Sequence, residues 1–127
     1  MAKPSIDESG WPIVLIVLPP NVSAEDFEEH FVDLRELGER TSGAIFAVVE
    51  TSGLHLSAVI RTRVGNALRD LAERFGSRIS GVAYVADSVA TRGVVTAIHW
   101  IAGPSFPTAT FARRADAIQW CQERSGR

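Results

Sequence analysis

The sequence predicts a single α/β domain in which about four mostly parallel strands carry helices packed on the sheet. Three observations lead there. Short apolar, β-branched runs alternate with stretches whose apolar residues recur at helical spacing. The segments between them are short, and no repeat or low-complexity stretch interrupts the alternation. Hydrophobic residues make up 46% and charged residues 22%, the balance of a packed globular domain. At 127 residues the chain can bury roughly two-thirds of the surface its unfolded form exposes, which leaves room for one domain.

Residues 1–10 are polar and hold Pro4 and Gly10 without any periodic apolar pattern, so they are expected as a mobile tail, with the domain proper over 11–127. Residues 12–18 are continuously apolar, as in a strand covered on both faces, and Pro19-Pro20 stops it. Ser23 with Asp26 resembles a capping box, and Glu25 and Asp26 suit the positive end of a helix dipole. Phe27, Phe31, Leu34 and Leu37 then repeat at helical spacing toward Gly38, which predicts a first helix over 24–39. Residues 44–49 make the second strand, ending near Glu50. Ile60, Val64, Leu68, Leu71 and Phe75 form the clearest stripe in the chain, with Ser57 as its N-cap and Gly76 as the glycine that follows a helix. Its opposite face, with Arg63, Asp70, Glu73 and Arg74, reads as solvated surface.

Residues 79–86 form a third buried strand, and Asp87-Ser88 can cap a third helix over 89–101. That helix is apolar over much of its circumference, so one face packs on the sheet and the rest is a surplus that suits an interface. Gly103-Pro104 ends it. Residues 108–111 make a short edge strand, and residues 115–123 a last helix with Ile118 and Cys121 inward. Residues 124–127 are expected to fray.

The formal net charge of −2 supplies no basic field to neutralise phosphates, which argues against nucleic acid as a partner. The single cysteine, Cys121, has no internal disulfide partner and fits a reducing compartment, so a cytoplasmic location is expected. The first apolar run is too short to span a bilayer, and Asp7 and Glu8 ahead of it are wrong for a signal peptide, so no integral membrane segment is expected. His30, His55 and His99 have neither i, i+4 spacing nor a neighbouring cysteine pair, and the expectation is no metal and no cofactor.

The strand at 44–49 runs into Glu50-Thr51-Ser52-Gly53, and the next strand reads Gly81-Val82-Ala83-Tyr84-Val85. The third helix carries Arg92-Gly93-Val94-Val95-Thr96-Ala97-Ile98-His99-Trp100, and Phe111, Ala117 and Trp120 close the pattern. From Trp11 onward these strings and the order of elements resemble the STAS superfamily in its SpoIIAA-like branch. These are small bacterial domains related to anti-sigma-factor antagonists and likened to CRAL-TRIO lipid-transfer domains. The resemblance implies non-catalytic regulatory work through protein–protein interaction, by phosphorylation-controlled partner switching or by ligand or lipid sensing. It implies a phosphoacceptor at Ser52 when Glu50-Thr51-Ser52-Gly53-Leu54 is matched to the family string, and at Ser57 when the strand register is followed.

Two candidate sites emerge. The carboxyl ends of strands and the helix N-termini after them form the default crevice of an open α/β sheet. Here that edge gathers Glu50, Thr51, Ser52, His55, Ser57, Arg61, Asp87, Ser88 and Arg92 as a polar or anion site. Ser57 and Ser88 read first as N-caps. Arg61 and Arg92, cations in first turns, read as ion-pair partners of Glu50 or Asp87, or as anion ligands. Ser52, His55 and Asp87 nominally supply a nucleophile, base and acid, but no Gly-x-Ser-x-Gly string accompanies them, so a small hydrolase ranks last.

The second candidate is the apolar third helix. There Val95, Ile98, His99, Trp100 and Ile101, with Phe106, Phe111 and Trp120, suit an apolar pocket or a homodimer face. The function expected is a non-enzymatic regulatory or interaction module that docks another protein or a second copy of itself. The alternative is a carrier or sensor of a small apolar or lipid-like ligand near Trp100. An unfilled apolar cavity beneath the third helix would favour the carrier, and a well-packed interior with an exposed apolar helix face would favour the module.

Overall fold

The computed structural model of the chain describes residues 3–51, 53–103 and 105–126. One sheet runs through it in chain order: β1 (Ser5–Asp7), β2 (Ile13–Val17), β3 (Ile45–Glu50), β4 (Ile79–Val85) and β5 (Thr108–Phe111). β2 to β5 are parallel, as expected, and β1 joins β2 antiparallel. Between and after them lie α1 (Ala24–Arg40), α2 (Ala58–Phe75), α3 (Val89–Ala102) and α4 (Arg114–Ser125).

The expected tail is the first correction. Ser5–Asp7 pairs with Val17–Leu15, Ile6 packs beside Val14 and Ile16, and Pro4 is buried, so the sheet has five strands rather than about four. A three-residue strand with one apolar side chain has no periodicity to read; the free edge of β2 makes it. Two helix ends also differ. Gly76 is right-handed, with its N–H on the Ala72 carbonyl, and it is Gly103 that takes the left-handed turn at φ 55°. α4 continues to Ser125 and closes on Gly126, also left-handed, so residues 124–126 do not fray.

Three serines start the helices as read. Ser23, Ser57 and Ser88 accept from the backbone N–H of Asp26, Ile60 and Thr91 at 3.1, 3.2 and 3.1 Å.

Parallel strands laid down in simple sequence must be joined by crossovers, and right-handed crossovers put every connecting helix on the same face. α1, α2 and α3 therefore share one side, and α4, which follows the last strand, covers the other. Strand alternation sorts the side chains accordingly. Val14, Ala47 and Val82 form one cross-strand row toward α1–α3, and Ile16, Val49 and Tyr84 form a second. Leu15, Val48 and Ala83 form the row beneath α4, against Ala117 and Cys121.

The two helix layers meet the sheet differently. The backbone of α4 comes within 8 Å of β2, β3, β4 and β5, Cα to Cα, whereas α2 approaches α1 on one side and α3 on the other that closely, and all three approach the strands much less. Glycines make the sideways approach possible. A Cβ on Gly38 of α1 would lie 2.7 Å from the Phe75 ring of α2, and one on Gly65 of α2 would lie 2.6 Å from the Ile101 side chain of α3. Exposed pairs Arg74–Glu39 at 2.6 Å and Arg63–Glu28 at 3.7 Å add weak ties between α1 and α2.

Candidate functional site

Between the sheet and the α1–α3 layer lies an apolar cavity of about 140 Å³. The two cross-strand rows, from Val14 to Val82 and from Ile16 to Tyr84, form its floor. Leu34 and Leu37 of α1, Leu68 and Leu71 of α2, and Val95 and Ile98 of α3 reach down as its roof. Periodicity places these side chains: each is on the inward stripe of its helix, so the helices must present them to the sheet.

Four polar side chains reach this wall: His30, Thr51, Tyr84 and His99. Thr51 is satisfied, its hydroxyl donating to the Val85 carbonyl at 2.8 Å. His30 is 3% exposed, and burial pushes its pKa down to about 4, against a small opposing pull from Asp33. His99 stands edge-on to Tyr84 with ring centroids 4.8 Å apart, and burial lowers its pKa as well. The Tyr84 phenol is driven well upward by the same desolvation. His30 Nδ1 and His99 Nε2 are buried and lack any hydrogen-bond partner among the described residues. Both rings are therefore neutral at pH 7, in an environment that resists charge.

The strand carboxyl ends come together less than expected. Glu50 pairs with Arg114 of α4, not with Arg61. Arg92 donates from Nε to the Ala86 carbonyl at 3.2 Å rather than to Asp87. Ser57 and Ser88 are engaged as N-caps, and the Ser88 and Thr91 hydroxyls share a further hydrogen bond at 2.9 Å. Thr51 is wholly inside, while His55 and Asp87 are exposed and Arg61 is half-buried on the first turn of α2. Ser52, one of the two candidate phosphoacceptors and the nominal nucleophile, lies outside the described residues.

The apolar group divides into three. Val95, Ile98, His99 and Phe106 line the cavity. Ile101 is turned sideways against Gly65, and Trp100 is 84% exposed. Trp120 is on the other side of the sheet, 6.2 Å from the Phe111 ring and with the Arg124 guanidinium 5.0 Å over its face. A pocket uniting Trp100 with Phe111 and Trp120 is thus ruled out by the sheet between them. Among the described residues no three His, Cys, Asp or Glu are grouped to hold a metal ion, and no helix is long and apolar enough to cross a membrane.

His30 is the site residue that reading for motifs passes over. Its signal was present: it falls between Phe27 and Leu34 on the inward stripe of α1, three residues after one and four before the other.

No protein-family model matches the chain, and no curated protein does. Among solved structures it is similar to an uncharacterised protein of the DUF3478 family with a SpoIIAA-like fold from Shewanella loihica PV-4. The two share 16% identity, over 93% of this chain and 91% of that one, with a TM-score of 0.66. The chain accordingly has a SpoIIAA-like α/β fold, and the resemblance seen in its strings holds at the level of architecture.

Proposed function

We propose that this SpoIIAA-like domain is a non-catalytic module that holds a small apolar ligand between its sheet and its α1–α3 layer. The observation that carries the reading is the 140 Å³ apolar cavity beneath those helices. Cavities of roughly 150 Å³ with apolar walls stay dry and take up benzene-sized molecules. The strand carboxyl ends, by contrast, spend Glu50, Thr51, Ser57, Ser88 and Arg92 on internal contacts, which weakens the case for catalysis there.

Toluene tests this. Titrated into the protein, it should shift methyl resonances of Leu34, Leu68 and Ile98 saturably, with Kd roughly millimolar or tighter. Ala47→Leu, which fills the floor of the cavity, should abolish that binding and leave the protein folded. No saturable shift in the wild type would sink the reading.

A second reading, docking of a second copy of the chain, is favoured by Trp100, whose large ring stands out from the end of α3 at 84% exposure. Sedimentation over a hundredfold range of concentration should then show dimer formation that Trp100→Ser removes. A monomer throughout would end that reading.

A further inference from the structure

A ligand needs a way into the cavity, and the flanks of the cavity are not equally firm. On one flank β1 stands beyond β2. Ile6 lies opposite Ile16 and so extends the row of Ile16, Val49 and Tyr84 by one strand, on the side of the sheet that faces α1. It packs on Val14, Ile16 and Leu37, three residues that line the cavity, and thereby backs the seam between β2 and α1. The opposite flank is shut by Phe106, 6% exposed against Val82, Tyr84 and Val95.

Little holds β1 in place. It has three residues, of which Ser5 and Asp7 are exposed and Ile6 is half-buried, with buried Pro4 ahead of it. Its two ends are tied to α1 by exposed ion pairs: Lys3 to Glu29 and Asp33 at 3.1 Å each, and Arg40 to Glu8, where Nη1 donates to Oε1 at 2.8 Å. Pairs of this kind contribute little and are screened by salt.

Resting on the reading of the cavity as a ligand site, we infer that β1 is its gate. Ser5–Asp7 lifts from β2 as one piece, Lys3 and Glu8 let go of α1, and an apolar ligand passes between β2 and α1. Local opening concentrates where buried apolar contacts are few, and the exposed pairs set how often it happens.

Residues directly opposite in an antiparallel pair have Cα atoms about 4.5–5.5 Å apart, which a disulfide can span. Ser5→Cys with Val17→Cys therefore locks β1 to β2 when oxidised and frees it when reduced, and buried Cys121 does not compete. Toluene exchange, followed by NMR at the Leu34 and Ile98 methyl groups, should slow at least about tenfold on oxidation and recover on reduction. Lys3→Ala with Arg40→Ala should quicken it about fivefold at unchanged Kd, because a gate that is shut before and after binding alters rates and not affinity. Arg74→Ala, which cuts an exposed pair between α1 and α2, should leave the rate as it is in the wild type. Equal rates in the oxidised and reduced forms, an unchanged rate in the Lys3 and Arg40 double variant, or the same acceleration from Arg74→Ala would overturn the gate while toluene binding still upheld the cavity as a ligand site. Absence of toluene binding in the wild type would overturn both.

Discussion

On the α4 side of the sheet, Ala83, Ala117 and Cys121 have no exposed surface, and a methyl group on Gly81 would already touch the Trp120 ring at 3.0 Å. On the α1–α3 side, side chains as long as Leu34, Leu68 and Leu71 fail to close the space above Ala47 and Val82. The same strands build both faces, so strand composition alone does not explain the contrast. Helix-to-helix packing does. The α1–α3 layer is drawn together sideways, Gly38 against Phe75 and Gly65 against Ile101, and approaches the strands less closely. A single helix has no neighbour on its own face to pack against and settles where Gly81 and Ala83 leave room.

The most direct way to break this contrast is to put the same larger side chain on each face. Ala83→Leu should lower unfolding free energy by about 3 kcal/mol, because nothing near it can move aside, whereas Ala47→Leu should change it by less than about 1 kcal/mol. Equal losses in urea denaturation would refute the account of two differently packed faces.

Acid should expose the cavity face next. His30 is protonated in the unfolded chain below about pH 6.5 and in the fold only near 4, so the unfolded state binds more protons between those values. Its share of stability is whole above pH 6.5 and lost as pH falls toward 4, on the order of 3 kcal/mol in all. Asp33 and Lys3 bear on the ring with opposite sign, and Lys3 is itself held by Glu29 and Asp33 at 3.1 Å each. His30→Leu should flatten that part of the pH profile; an unchanged slope would assign it to the carboxylates instead.

Smaller effects test the sideways cohesion. Gly65→Ala should cost about 1–2 kcal/mol, since its new methyl collides with the Ile101 side chain near the α3 backbone. Gly93→Ala, with nothing within 4 Å, should instead gain about 0.5–1 kcal/mol from helix propensity. Gains at both positions would mean that α2 and α3 are not pressed together. The mildest probe is chemical. Burial drives the Cys121 thiol up to about 11, so a thiol reagent at pH 8 should label it only at the rate of unfolding. Rapid labelling of the native protein would show that the α4 face opens.

Much of this was legible in the residues. The runs at 13–17, 45–50 and 79–85 announced central strands because side chains on both faces of each are apolar, which requires cover on both sides. Ser23, Ser57 and Ser88 marked three helix starts, since a hydroxyl ahead of an apolar stripe has a local task that needs no tertiary contact. The stripe of α1 carried His30 inward with Phe27 and Leu34. The polar cluster at the strand ends misled for the opposite reason: Glu50 found Arg114, sixty-four residues away, and no spacing rule reports such a partner.

What the sequence determined by itself is thus local: which stretches are strands or helices, which side of each is apolar, and where the helices begin. Tertiary structure alone decided that β1 adds to the edge of β2, that the strands lie in chain order, and that handedness then gathers three helices on one face and leaves α4 the other. The cavity and its two unpartnered histidines follow from that allocation. Periods of 2.0 and 3.6 residues record how each segment faces its surroundings, but a gap between layers depends on how many elements must share one surface, and that is settled only when distant segments meet.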